Sequence, residues 1–157
     1  MALMGPLVEN HQGRISLPAR ALTRAAERAL REVGREGGGV EIALVDDMEI
    51  RRLNRHFRGV GRRTDVLAFP LEVGEAPGGL VGQIVISVET ALRQSRGLGV
   101  PLSLELQLLV THGILHLVGY DDRDPLEAHL MHRREREILS ATLRKLPTRL
   151  WKGLLPA

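Results

Sequence analysis

The chain contains no cysteine, which excludes a disulfide framework and leaves any metal to histidine and carboxylate ligands. Lysine is nearly absent, with Lys145 and Lys152 alone, so arginine carries the positive charge. Aromatic residues make up 3% of the sequence, as Phe57, Phe69, Tyr120 and Trp151, and leave few rings for stacking nucleobases. No apolar run approaches the roughly 20 residues of a membrane-spanning helix. Met1 to Pro6 lacks the charged and apolar regions of a secretory signal. The last two absences predict a cytoplasmic protein with no membrane partner.

The 157 residues, 43% of them hydrophobic, suit one compact domain spanning residues 1–157. After a short polar lead, Leu22, Ala25, Ala26, Ala29, Leu30 and Val33 recur at helical spacing and predict an amphipathic helix over Pro18 to Glu36. Val40 to Val45 reads as a strand buried on at least one face. A helix from about Asp47 to Phe57, capped by Asp46 or Asp47, is expected to turn Met48, Ile50, Leu53 and Phe57 inward. Thr64 to Pro70 and Leu80 to Val88 read as two further strands, joined as a hairpin across the Gly/Pro-rich stretch Gly74 to Gly79.

A short helix over Glu89 to Gly97 precedes a longer one, capped by Ser103 and running to Val118, that is apolar nearly all round. Such a helix belongs at the centre of a fold, packed on the sheet, with its far end opening toward a cleft. Asp124-Pro125 starts a last helix carrying Leu126, Leu130, Ile138 and Leu139, with proline at its favoured first position. The tail from Pro147 to Ala157, with Trp151, is expected to drape on the surface. The class is α+β: a small sheet on a central buried helix, flanked by further helices.

The chemistry concentrates in His112-Gly113-Ile114-Leu115-His116-Leu117-Val118-Gly119-Tyr120-Asp121-Asp122. Two histidines four apart share a helix face and can address one ion. Gly119 can end the helix in a left-handed conformation, so that the chain doubles back and carries Asp121 or Asp122 toward them. Three protein ligands with an open position make a catalytic zinc arrangement, whereas structural zinc is usually closed by four. Position 113 is glycine, and a His-Glu-x-x-His metalloprotease needs a glutamate there as general base. His129 and His132, further along, are expected to face solvent.

Arg51, Arg52, Arg55, Arg58, Arg62 and Arg63 fall in one stretch without a carboxylate. On charge alone this is a solvated helix face. Arginine's fork grips phosphate oxygens in pairs, which invites a nucleic-acid reading that charge by itself does not decide.

The motif resembles that of the YbeY-type bacterial rRNA maturation factors, single-strand-specific endoribonucleases with a His-Gly-x-Leu-His-Leu-x-Gly-Tyr-Asp-His signature. The resemblance extends to Leu53 to Arg58, Thr64 to Pro70 and Val81 to Ser87, and spans about residues 40 to 140. It implies a small mixed sheet, a zinc ion in a cleft, single-stranded rRNA and the small ribosomal subunit as partners, and a role in 16S rRNA 3′-end maturation and ribosome quality control. Where the family has its third histidine this chain has Asp122, and where a strand acid is usual it has Gln83. Aspartate oxygen binds zinc at about the distance of histidine nitrogen, so the implied ligands are His112, His116 and Asp122, with Asp121 the competitor. The negative ligand makes the ion a weaker Lewis acid.

The resemblance also implies the catalytic set Arg58, His112 and His116, with Arg58 holding the scissile phosphate as charge builds on it, and beside such a site Arg55, Arg58, Arg62 and Arg63 become a track for an RNA backbone. The nucleophile stays open between water activated by the ion and the ribose 2′-hydroxyl. One zinc ion, or another divalent transition metal, is the expected cofactor. The alternatives are a non-catalytic ribosome-assembly factor with a structural metal and a metalloprotease.

Overall fold

The computed structural model describes residues 4–58, 65–71, 79–141, 143 and 145–154. The elements run β1 (Pro6–Asn10), α1 (Ala19–Glu32), β2 (Gly39–Val45), α2 (Asp47–Arg58), β3 (Val66–Pro70), β4 (Leu80–Ser87), α3 (Val88–Leu98), α4 (Leu102–Leu117), α5 (Pro125–Ser140) and a 3-10 turn (Thr148–Gly153). The sheet has the order β1-β2-β4-β3. β1 and β4 run parallel to β2, and β3 runs antiparallel to β4. The mixed sheet and the β3–β4 hairpin are as expected.

Side chains alternate across a strand, so β2 and β4 sort their residues between two layers. Val40, Ile42, Leu44, Ile84 and Ile86 join the main core with α1 and α4, while Val45 and Val85 meet Ile50 and Leu67 on the opposite face. α4 packs against α1, α3, α5, β3 and β4, and nearly all of it from Glu105 onward is buried. That position explains its lack of a polar side.

Several expectations need correction. The polar lead contains β1, an edge strand whose parallel partner lies a whole helix away in sequence, with only Val8 packed on the core. Met48 and Phe57 are 80% and 59% exposed, because α2 buries Ile50 and Leu53 against the sheet, and Phe57 reaches it only by an edge contact with Phe69 of β3, ring centroids 5.4 Å apart. Ser103 lies inside α4, which begins after Pro101 without a side-chain cap. Asp46, of the two candidates, caps α2 by accepting the Glu49 N–H at 2.8 Å. Leu126 and Leu130 are exposed, and α5 instead buries Met131, Glu135, Ile138 and Leu139.

The tail does not drape on the surface. Leu150 is fully buried among Val100, Leu108 and Leu139, and the Arg149 guanidinium donates to the Leu98 and Gly99 carbonyls that end α3, at 2.7 and 3.3 Å.

Candidate metal centre

α4 ends in a turn that builds the site. Gly119 takes φ +106°, a conformation that side-chain-bearing residues rarely adopt. Its N–H donates to the His116 carbonyl at 3.1 Å, and the Tyr120 N–H to the Leu115 carbonyl at 3.0 Å. This pair of bonds is the Schellman termination. It leaves the Tyr120 carbonyl facing back toward the helix, where it accepts from His116 Nδ1 at 3.0 Å. The chain then returns Asp122 to the histidine pair.

A carbonyl oxygen accepts only, so His116 carries its proton on Nδ1 and turns the Nε2 lone pair inward. His112 is oriented in the same way. Its Nδ1 donates at 2.5 Å to Oε2 of Glu135, a carboxylate with no exposure to solvent. The two Nε2 atoms consequently face each other at 3.0 Å, with Asp122 Oδ2 at 3.5 Å from His112 Nε2 and Oδ1 at 3.7 Å from His116 Nε2. Ligands about 2.0–2.1 Å from one tetrahedral ion stand roughly 3.3 Å apart. The donor set fits a divalent ion.

The electrostatics agree. Burial opposes charge on His112, but the carboxylates of Asp122 and Glu135 outweigh it and push the imidazole pKa up to about 10. Contact with His112 and His116 holds the Asp122 carboxyl far below its ordinary range, against its partial burial. Burial alone would raise Glu135, yet His112 and His132 keep it ionised. The pocket therefore favours positive charge at its centre.

Of the two adjacent acids, Asp122 faces the histidines. Asp121 instead accepts the Asp122 and Arg123 N–H groups at 2.7 and 3.2 Å and the Arg123 side chain at 2.6 Å, which stiffens the turn. His116, Gly119, Tyr120, Asp121 and Arg123 line a cleft of about 310 Å³ against Val66 and Ala68 of β3. This is the opening expected at the end of the central helix.

His132 does not face solvent. It is partly buried, donates from Nδ1 to Glu135 Oε1 at 2.7 Å, and stacks on His112 with ring centroids 6.2 Å apart. His129 is exposed, as expected. Glu135 escaped the sequence reading, although it sits four residues after Met131 and three before Ile138 on the buried face of α5. An acid within an apolar stripe is the signal that marks it.

The arginines divide. Arg51, Arg52 and Arg55 are exposed on α2, with Arg52 paired to Glu49. Arg58 closes α2, and Arg62 and Arg63 lie outside the described residues. Asp65, at the start of the next described stretch, is a buried acid whose charge reaches His112. Gln83 faces outward on β4 and donates to Glu41 on β2 at 2.7 Å, away from the site.

The sequence model of the Endoribonuclease YbeY family matches residues 7–143. The chain belongs to this family. An Endoribonuclease YbeY from Pelotomaculum thermopropionicum is 40% identical over 145 residues, covering 87% of this chain and 95% of that protein. One from Anaeromyxobacter dehalogenans is 42% identical over 123 residues, 78% of this chain, which spans 64% of that longer relative. The fold is similar to the solution structure of TM1509 from Thermotoga maritima, with a TM-score of 0.55 and 27% identity across 87% of this chain and 90% of that one. The family match ends before the 3-10 turn that carries Trp151.

Proposed function

We propose that the protein is a metal-dependent, single-strand-specific endoribonuclease that acts in the cytoplasm on the small ribosomal subunit, in 16S rRNA 3′-end maturation and ribosome quality control. The observation that carries the reading is the convergence of His112 Nε2, His116 Nε2 and the Asp122 carboxylate, three ligand atoms within 4.8 Å of one another, beside a cleft that His116 lines. Family membership supplies the RNA chemistry.

His112, His116 and Asp122 would hold one zinc ion and leave one position of a tetrahedral set for substrate or solvent. When bound, the ion supplies Lewis acidity at the scissile phosphate. Glu135 and the Tyr120 carbonyl fix the two imidazoles by holding their Nδ1 protons, so neither ring rotates when substrate enters. Arg58 is the group to hold the phosphate oxygens as negative charge develops. Arg55, Arg62 and Arg63 extend that positive track along the strand. With few aromatic rings, recognition runs through phosphates and depends strongly on salt.

Gly113 lies against Ile84 and supplies no general base, which argues against peptide hydrolysis. The test uses highly purified protein and single-stranded rRNA. His116→Ala and Arg58→Glu should each abolish cleavage, and Arg55→Ala should weaken binding and flatten its salt dependence by about 0.7 in the log–log slope. Unchanged cleavage by the His116 and Arg58 variants would refute the assignment. RNA binding to small-subunit particles with no cleavage by the metal-loaded parent would favour the assembly-factor reading.

A further inference from the structure

The tail that sequence reasoning leaves on the surface reaches the metal centre. Trp151 is partly buried, and its indole N–H donates at 3.0 Å to Glu135 Oε1. The same oxygen accepts from His132 Nδ1, while Glu135 Oε2 accepts from His112 Nδ1. A carboxylate with no solvent exposure is costly unless its oxygens are satisfied. Here three donors satisfy it: two come from histidines, and the third comes from a segment beyond the residues that the family match covers.

That segment is built in. Leu150 anchors it in the core, Arg149 ties it to the end of α3, and the Arg136 guanidinium lies 4.6 Å from the Trp151 ring centroid. Gly153 fits closely as well, since a Cβ there would stand 2.9 Å from Leu98 Cδ1. Indole is a donor only, so it can hold Glu135 in its ionised, accepting form without competing for a proton. Partners that hold the far nitrogen of a metal-binding histidine fix its orientation and basicity, and losing them typically costs 10–100-fold in metal affinity.

We propose that Glu135 and Trp151 are positioning residues of the metal centre, with the C-terminal 3-10 turn completing through Glu135 the orientation of His112. The proposal rests on the metal-site reading above, and the test separates the two. Metal-free protein is titrated with cobalt(II), whose visible absorption reports affinity and ligand geometry. The variants are Trp151→Phe, which keeps a ring and removes the N–H, and Glu135→Gln, which keeps the shape and removes the charge.

We expect Glu135→Gln to weaken cobalt binding by about 10–100-fold and Trp151→Phe to weaken it by a smaller but measurable factor. The unfolding temperatures of the metal-free Trp151→Phe variant and the metal-free parent should be close. Either variant binding cobalt as the parent does, with the same spectrum, overturns the proposal. A parent that binds no cobalt overturns the metal-site reading itself, and the proposal with it.

Trp151 is the chain's single tryptophan, which gives a second readout that needs no variant. Zinc, a closed-shell ion that does not quench, should change its emission along the same isotherm as binding, because the indole is joined to a ligand through one carboxylate. Should either variant fail to fold, this measurement decides: an emission change that saturates with zinc binding supports the link, and constant emission while zinc binds overturns it.

Discussion

His112 Nε2 and His116 Nε2 stand 3.0 Å apart, with both Nδ1 atoms already committed, to Glu135 and to the Tyr120 carbonyl. Without an ion, a proton on His112, whose pKa is pushed up to about 10, fills that space; a divalent ion that displaces it is held only by the folded chain. Stripping divalent ions with a chelator should therefore lower the unfolding temperature, and adding zinc should restore it. An ion at a hundred times its dissociation constant contributes about 2.7 kcal/mol, which for a chain of this size is a shift of roughly 5–10 °C. Calorimetry before and after chelation measures it, and an unmoved transition counts against the site.

Asp122 lies in the loop after α4 and completes the proposed ligand set, at the position where the signature this chain resembles has histidine. Asp122→Ala leaves two imidazoles and should weaken zinc binding by more than about 100-fold, beyond the usual loss for a supporting group. Asp122→His should keep the metal, since nitrogen and oxygen ligands bind zinc at similar distances. It also removes a negative charge from the ion's shell and makes the ion a stronger Lewis acid. The pH–rate profile for RNA cleavage should then move to lower pH. Titration calorimetry on both variants and a pH series on the second are decisive, and an Ala variant that holds zinc like the parent would remove Asp122 from the site.

What was legible in the sequence was local and periodic. The buried face of α1, the apolar length of α4, the glycine turn after it and the Asp124 cap of α5 each follow from spacing within one element, and the structure has them. What was not legible depends on partners distant in the chain. β1 is a strand because β2 lies beside it; Met48 is exposed because α2 turns Ile50 and Leu53 to the sheet instead, and Phe57 meets the sheet only at the edge of the Phe69 ring. Glu135 and Trp151 matter only because α5 and the tail fold back on His112. Short-range patterns pick out His112, His116 and Asp122, and the carboxylate that holds the His112 imidazole from α5 comes from long-range packing.

Gly113 shows the same division. Its residue type excludes a protease base, but the structural need for it lies across the core, where an added Cβ would stand 2.9, 3.0 and 3.2 Å from the Cδ1, Cγ2 and Cγ1 atoms of fully buried Ile84. Alanine favours a helix over glycine by about 1 kcal/mol, while overpacking a tight core costs roughly 1–3 kcal/mol. Three contacts on a stiff β-branched side chain make the second effect win. Gly113→Ala should lower stability in urea denaturation and weaken zinc binding, because it pushes on the helix between the two ligands. Adding Ile84→Val, which removes the nearest atom, should recover part of the loss. Simple additivity of the two changes would show that the contact is not the cause.

Glu105 lies on α4, in the turn nearest its start, and has no solvent exposure; neither carboxyl oxygen has a hydrogen-bond partner among the described residues. Burial first, and the charge of Asp65 second, push its pKa from 4.5 up to about 8. Between those values the folded protein keeps a proton that the unfolded chain has released. Stability therefore falls as pH rises through that window, by about 1.4 kcal/mol per pH unit for one proton, and levels off above it. Glu105→Gln cannot ionise, so this component of the slope should vanish and the variant should gain on the parent steadily as pH rises. Urea denaturation of both proteins at steps across the window isolates the effect, since every other titrating group is common to the two. Parallel profiles would mean that Glu105 is already ionised in the folded state below neutral pH.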